Sequence, residues 1–205
     1  MKKLFTHMPL WIPFLLTLLG IALLTMASPA EKVLGANARI VYLHGVWVWA
    51  SLAGFICAGA AGALALLARR PQWHLWSRAL GRTGLFFWIT YLPISMWAMQ
   101  TSWNGLFLAE PRFRLAVIFS VTGLLLQLGV TLLENPAWAS AGNLAFILVL
   151  MFALTQTQNV MHPPSPILDS DAPRIQLWFA GLFALTLLAA GQVALWWRRQ
   201  ETVQP

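Results

Sequence analysis

The chain has 205 residues, of which 59% are hydrophobic and only 9% are charged, with a formal net charge of +7. A soluble domain carries about 25% charged residues, so this composition excludes an ordinary soluble enzyme and favours a protein in contact with membrane lipid. The positive residues lie mainly in short loops and tails, where they set membrane orientation, so the charge indicates no nucleic-acid partner.

Six apolar stretches without Asp, Glu, Lys or Arg follow one another along the chain. A helix that crosses a bilayer needs about 20 mostly apolar residues, and its backbone groups must be satisfied within the segment. The sequence therefore predicts an all-α, polytopic integral membrane protein, a bundle of six transmembrane helices in a single domain, 1–205. The predicted spans are residues 8–27, 40–68, 83–103, 115–133, 141–160 and 175–197.

The N-terminal segment also has features of a signal peptide, with Lys2 and Lys3 ahead of a leucine-rich run. That run is longer than the about 7–15 apolar residues of a signal-peptide core, so we predict a first span. With both termini cytoplasmic, eight Lys and Arg residues lie inside and five outside. This distribution agrees with the positive-inside bias of short loops.

Small and helix-breaking residues predict how the spans pack. Span two contains small residues at spacings of four, including Gly54, Ala58 and Gly62. Such spacing lets backbones approach closely and predicts a position at the centre of the bundle. Pro93 predicts a kink within span three. His7 and His74 lie in basic inner segments and are predicted to be solvated.

The end of span five is unusually polar for a lipid-facing helix. Thr155, Gln158 or Asn159, and His162 recur at spacings of three and four, which predicts that they share one side of the helix. Unpaired amides in hydrocarbon are costly, so this stripe should face protein or a wet cavity. The prolines that follow, starting at Pro163, predict that His162 lies at or just beyond the helix end.

Several kinds of chemistry are excluded by the residues present. Cys57 is the only cysteine, so no intrachain disulfide and no covalent c-type haem attachment can form. The sequence contains no phosphate-binding Gly-x4-Gly-Lys-Ser/Thr loop, so any ATP-driven step belongs to a partner. No bond-making chemistry is apparent, and we predict that the protein is not an enzyme.

The counting of spans places His44 and His162 at the same face of the membrane. Neutral imidazoles in an aromatic, low-dielectric setting are suitable axial ligands for haem iron. Indole rings suit the apolar porphyrin, and guanidinium groups suit its propionates. The predicted site holds non-covalent haem b between His44 and His162, with Trp47, Trp49, Trp97, Trp103, Arg39, Arg112 and Arg114 around it.

The segment Arg39-Ile-Val-Tyr-Leu-His44, followed by Trp49, resembles the second-span opening R-I-x-Y-x-H of one family. Val160-Met-His162-Pro-Pro-Ser-Pro-Ile167 is similar to the same family's segment after its fifth span. The family comprises the haem-handling C subunits of the bacterial cytochrome c maturation machinery, within the wider cytochrome c assembly family. Its tryptophan-rich signature is matched only in part by residues 97–112, which marks a divergent relative.

The resemblance implies six spans in the bacterial cytoplasmic (inner) membrane, with haem bound at the outer face. It also implies ABC-type permease and ATPase subunits and a membrane-tethered haem chaperone as partners. The function predicted on this basis is to hold haem through His44 and His162 and to hand it on for cytochrome c assembly. Because the imidazoles must be neutral to ligate, acid should weaken binding.

Two alternatives follow from the same residues. One is an electron-transfer membrane subunit with b-type haem. Such a subunit usually needs ligand pairs toward both faces, and the inner halves of the predicted spans contain no histidine. The other is a cofactor-free permease or scaffold subunit, in which the histidines serve only in packing.

Overall fold

The computed structural model describes residues 11–161, 167–168 and 170–203. Within these residues the regular structure consists of α-helices, and the only extended pairing is an isolated bridge between Glu31 and Gly35. The prediction of an all-helical fold is confirmed. The helices are α1 (Trp11–Ala27), α2 (Ala38–Ala68), α3 (Pro71–Trp103), α4 (Pro111–Leu132), α5 (Pro136–Gln156) and α6 (Pro173–Val203).

Four of these helices are long and apolar enough to cross a membrane. They are α2, α4, α5 and the Pro173–Glu201 part of α6. α1 is apolar but shorter, with 17 residues in the described part of the chain. α3 has 33 residues and a more mixed composition, and it is not one of the four. Length and composition therefore make the chain a membrane protein with four candidate spans.

Local sequence signals fix where the helices begin. The Glu110 carboxylate accepts a hydrogen bond from the Phe113 backbone N–H at 2.7 Å, and the Asn135 side chain accepts one from Ala137 at 2.9 Å. Both contacts satisfy N–H groups that have no partner within the helix. Four of the helices start at a proline, whose fixed φ suits a first turn and whose missing N–H is not needed there: Pro71, Pro111, Pro136 and Pro173.

The central pair of the bundle is α2 and α3, which share the most extensive helix contact. α5 packs against both of them on one side, with α4 outside it against α3 and α5. α6 packs against both on the other side, with α1 outside it. The buried core is accordingly centred on α2, and it includes Val46, Ala50, Phe87, Trp88 and Leu150.

Glycines on α2 allow this close packing. A Cβ atom added at Gly54 would lie 2.9 Å from the Gly84 Cα atom of α3. One added at Gly62 would lie 2.6 Å from the Ser140 carbonyl oxygen of α5. Both obstacles are backbone atoms that cannot rotate away. The predicted central position of α2, through its small residues, is confirmed.

A layer of polar side chains ties four helices together. Asn143 Nδ2 donates to the Ser77 carbonyl oxygen at 2.9 Å, and the Ser77 hydroxyl donates to the Ala58 carbonyl at 2.9 Å. Gln127 Nε2 completes the layer by donating to Asn143 Oδ1, also at 2.9 Å. Hydrogen bonds between helices satisfy polar groups that would be costly in lipid. The layer therefore fixes the relative register of α2, α3, α4 and α5.

The two ends of the bundle are defined by contacts between helix termini. At the His44 end, where α2, α4 and α6 begin, Asn37 Nδ2 donates to the Thr101 carbonyl at 3.0 Å. At the Arg82 end, where α1, α3 and α5 begin, Arg82 contacts both Thr131 and Glu201. Successive helices thus alternate in direction, as expected for a chain that crosses a layer repeatedly.

The connection between α1 and α2 is a compact turn at the His44 end. The Glu31 carboxylate accepts hydrogen bonds from the backbone N–H groups of Leu34 at 2.9 Å and Val33 at 2.8 Å. These amides hold the pKa of the exposed Glu31 carboxyl below its ordinary value. Gly35 has a φ of +58°, which glycine adopts without steric cost, and the turn closes there.

Candidate functional site

His44 lies on the second turn of α2 and is half-buried. Its ring centroid is 5.6 Å from that of Tyr91 on α3, with 56° between the ring planes. Tyr91 is buried and in turn contacts Trp88, at 5.2 Å between centroids. The imidazole therefore packs against aromatic side chains of α3 and is partly exposed. Aromatic neighbours give the imidazole surroundings of low polarity.

The four predicted tryptophans lie in different surroundings. Trp47 is buried, packs at 5.1 Å from the Phe87 ring and donates its N–H to the Thr90 hydroxyl at 3.0 Å. Trp103 is half-buried at the end of α3, and its ring centroid lies 5.8 Å from that of Phe107. Trp49 and Trp97 are exposed by 41% and 61%. Trp47 thus belongs to the core below His44, and the exposed pair faces outward.

The three predicted arginines all lie at the His44 end. Arg39 Nε donates to the Ser28 carbonyl at 3.2 Å, which joins the start of α2 to the end of α1. Arg112 is half-buried, and its Nε atom has no hydrogen-bond partner among the residues that the structure describes. Arg114 is exposed. Arg112 is thus a half-buried cation whose Nε–H group is free to donate a hydrogen bond to an acidic group.

Arg114 borders an open groove of about 410 Å³ between α4 and α5. The other residues that line it are apolar or small: Ala109, Pro111, Leu115, Ile118, Phe119 and Ala153. An apolar surface with one cation at its edge suits an amphiphilic anion. His44 is not among the lining residues, so the structure does not bring Arg114 and His44 together around this groove.

The predicted polar stripe on the fifth helix is wrong, because α5 ends at Gln156. Thr157 is extended and Asn159 has a φ of +57°, so residues beyond Gln156 do not follow helical spacing. The Thr155 and Thr157 hydroxyls donate to carbonyls of the last helical turn, each at 2.7 Å. Hydroxyl groups that bond back to the helix in this way compete with its continuation.

His162, the second predicted iron ligand, lies outside the described residues, as does Pro163. The helix that leads toward it, α5, ends at Gln156 at the His44 end of the bundle, six positions earlier in the chain. Among the described residues, no group of three or more His, Cys, Asp or Glu side chains could hold a metal ion. The described part of the predicted site therefore contains a single candidate ligand, His44.

The prediction that His74 is solvated is wrong. α3 starts at Pro71, so His74 lies in its first turn, half-buried, with Nδ1 at 2.7 Å from the buried Ser140 hydroxyl of α5. It belongs to the Arg82 end, opposite His44. His7 lies outside the described residues.

Tyr91 is the neighbour of His44 that the sequence analysis missed. It is buried to 5% exposure, and it is one of only two tyrosines in the chain. The other, Tyr42, is also buried at this end, and its hydroxyl has no hydrogen-bond partner in the described part of the chain. The hydroxyl of a buried tyrosine usually finds a hydrogen-bond partner. The two tyrosines were therefore the sequence signal that could have pointed to this part of the interior.

Comparisons with known proteins give no relative for this chain: no family model, no curated protein and no solved structure matches it. The fold and the site define an all-helical membrane protein with an aromatic-flanked histidine at one end.

Proposed function

We propose that this protein binds haem b non-covalently at the His44 end, through His44 and His162, and passes it on for cytochrome c assembly. The observation that carries the proposal is the half-buried His44 imidazole, whose ring centroid lies 5.6 Å from that of Tyr91. A neutral imidazole in such a setting is a common axial ligand of haem iron. Bound haem would supply an iron centre and two carboxylates for recognition.

The residues around His44 fit this group in their chemistry. Arg39, Arg112 and Arg114 lie at the same end and would pair with the propionates. Charge-assisted contacts of this kind favour arginine because of its planar donor geometry. The exposed faces of Trp49 and Trp97, together with Trp103, would cover the ring, and Trp47 would form the floor below His44.

We further propose that all six helices span the bacterial inner membrane. α1 and α3 are the two helices that do not qualify as spans by length and composition. Both pack along neighbouring helices that are candidate spans. The Arg82 end carries six described arginines against two glutamates, and such positive charge favours the cytoplasmic side. Both termini would then be cytoplasmic. ABC-type permease and ATPase subunits and a haem chaperone are the partners that the family resemblance implies.

Haem binding can be tested with the four histidines as matched variants. Purified protein is titrated with haem, and the absorption spectrum and Kd are compared for the parent and four alanine variants. We expect His44→Ala and His162→Ala each to weaken binding by at least about tenfold, since even outer-shell changes at metal sites cost that much. His74→Ala, at the opposite end, should bind as the parent does, and so should His7→Ala, because neither histidine belongs to the proposed site.

Unchanged spectra in both His44→Ala and His162→Ala would refute the ligation. No haem uptake by a folded parent protein would favour a cofactor-free scaffold. A loss in His74→Ala equal to that in His44→Ala would show that haem binds elsewhere.

A further inference from the structure

Three charged side chains form a mostly buried cluster at the Arg82 end. Glu201 of α6 pairs with Arg78 at 3.0 Å and also with Arg82, both on α3. The three side chains are exposed by only 17% for Arg78, 19% for Arg82 and 5% for Glu201. Two positive charges thus share one negative charge. The cluster of these three side chains therefore carries an excess of one positive charge.

An apolar groove begins one helical turn from this cluster. It has a volume of about 240 Å³ and lies between α1, α3 and α6. The residues that line it are mainly aromatic: Trp11, Phe14, Phe86, Gln192, Val193, Trp196 and Trp197. Trp11, Phe86 and Trp196 are exposed by 60%, 39% and 44%, so the groove opens sideways toward the surroundings of the bundle.

Helix periodicity joins the groove and the cluster into one site. On α3, Arg78, Arg82 and Phe86 follow at spacings of four and so share one face. On α6, Val193, Trp197 and Glu201 do the same.

Trp197 is the residue common to both parts. It lines the groove, and the Arg82 guanidinium lies over its ring at 5.1 Å from the centroid. Phe86 and Arg78 are about 12 Å apart along the axis of α3, which gives the length of the site.

We propose that this site binds one anionic phospholipid, with its phosphate beside Arg82 and Arg78 and an acyl chain in the groove. The excess positive charge is mostly buried away from water. An uncompensated charge is costly in such surroundings, and a phosphate would neutralise it. Basic pockets between membrane helices are recognised sites for acidic headgroups. The exposed aromatic edges supply the apolar half of the same amphiphile.

The chain offers a matched pair of arginines for the test. Arg198 also lies over an indole ring, Trp76, at 5.8 Å, but Trp76 does not line the groove. Arg82→Gln and Arg198→Gln therefore remove the same charge and the same kind of stacking at the same end. In Arg82→Gln, Glu201 keeps Arg78 as its partner, so the carboxylate is not left alone.

The experiment measures the first bound lipid by native mass spectrometry of the full-length protein in uncharged detergent. The probes are phosphatidylglycerol, phosphatidylcholine and inorganic phosphate. We expect one tightly bound phosphatidylglycerol, weaker binding of phosphatidylcholine and no displacement by phosphate. Arg82→Gln should weaken phosphatidylglycerol binding about fivefold, the usual contribution of one basic residue, and Arg198→Gln should leave it unchanged. Val193→Trp, which fills the groove at constant charge, should also weaken it.

Three results would overturn the proposal. Equal losses in Arg82→Gln and Arg198→Gln would show a diffuse electrostatic attraction. Equal affinity for the two lipids would show that the phosphate is not recognised through its charge. Displacement by inorganic phosphate would identify a site for a soluble anion. The comparison of Arg82→Gln with Arg198→Gln stands even if Val193→Trp does not fold.

Discussion

Replacing Glu201 with alanine is expected to lower the free energy of unfolding by about 3 kcal/mol, because it leaves two buried cations without their counter-charge. Arg78 and Arg82 are both mostly buried, and Glu201 is their common partner across α3 and α6. The desolvation of the guanidinium groups would then be uncompensated. Thermal and denaturant unfolding of the purified protein would measure the loss.

The control for this variant is Glu134→Ala at the same end of the bundle. Glu134 is exposed and forms no ion pair with any described residue, so its loss should change stability by less than about 1 kcal/mol. A double variant, Arg82→Gln with Glu201→Ala, should recover part of the stability, since only one cation is then unmatched. Equal stability of Glu201→Ala and Glu134→Ala would contradict a structural role for the cluster.

Replacing Gly62 with alanine should destabilise the fold by about 2 kcal/mol, the usual cost of overpacking a tight contact. The new Cβ atom would lie 2.6 Å from the Ser140 carbonyl oxygen and 3.1 Å from the Ser77 hydroxyl. Because the first obstacle is backbone, α2 and α5 must separate. The same separation would disturb the adjacent hydrogen bond between His74 and Ser140. The melting temperature in detergent is the measurement.

Two other helical glycines provide the control for Gly62→Ala. A Cβ atom at Gly129 or Gly191 meets no heavy atom within 4 Å. Alanine at either position should therefore leave stability unchanged or raise it by up to about 1 kcal/mol, because alanine favours helices more than glycine does. If Gly62→Ala were as stable as these two variants, the close contact between α2 and α5 would be disproved.

The apolar runs predicted the helices well but not all of their limits. Span three was predicted to start at residue 83, whereas α3 starts at Pro71. The helical turns that the prediction omitted contain His74, Arg78 and Arg82. They were omitted because the spans were predicted from stretches without charged residues. Pro71 is the signal that marks the true start, since proline favours the first helical position. The error placed His74 in solvent, where the structure has it against Ser140.

Partnerships between distant residues were beyond prediction from one sequence. Arg82 and Glu201 are separated by 119 positions, and only the packing of α3 on α6 brings them together. The neighbourhood of His44 was partly predictable. Counting spans put the arginines at its end of the bundle, yet the contact with Tyr91 depends on the rotation of α3 about its axis, which hydropathy does not specify.

Coordination of haem iron by His44 is the central claim, and electron paramagnetic resonance of the ferric protein tests it most directly. His44→Gly opens a space that free imidazole can enter. The account predicts a low-spin signal in the parent, its loss in His44→Gly, and its return when imidazole is added, because two nitrogen ligands hold the iron low-spin. A low-spin signal in His44→Gly identical to that of the parent, without imidazole, would contradict it.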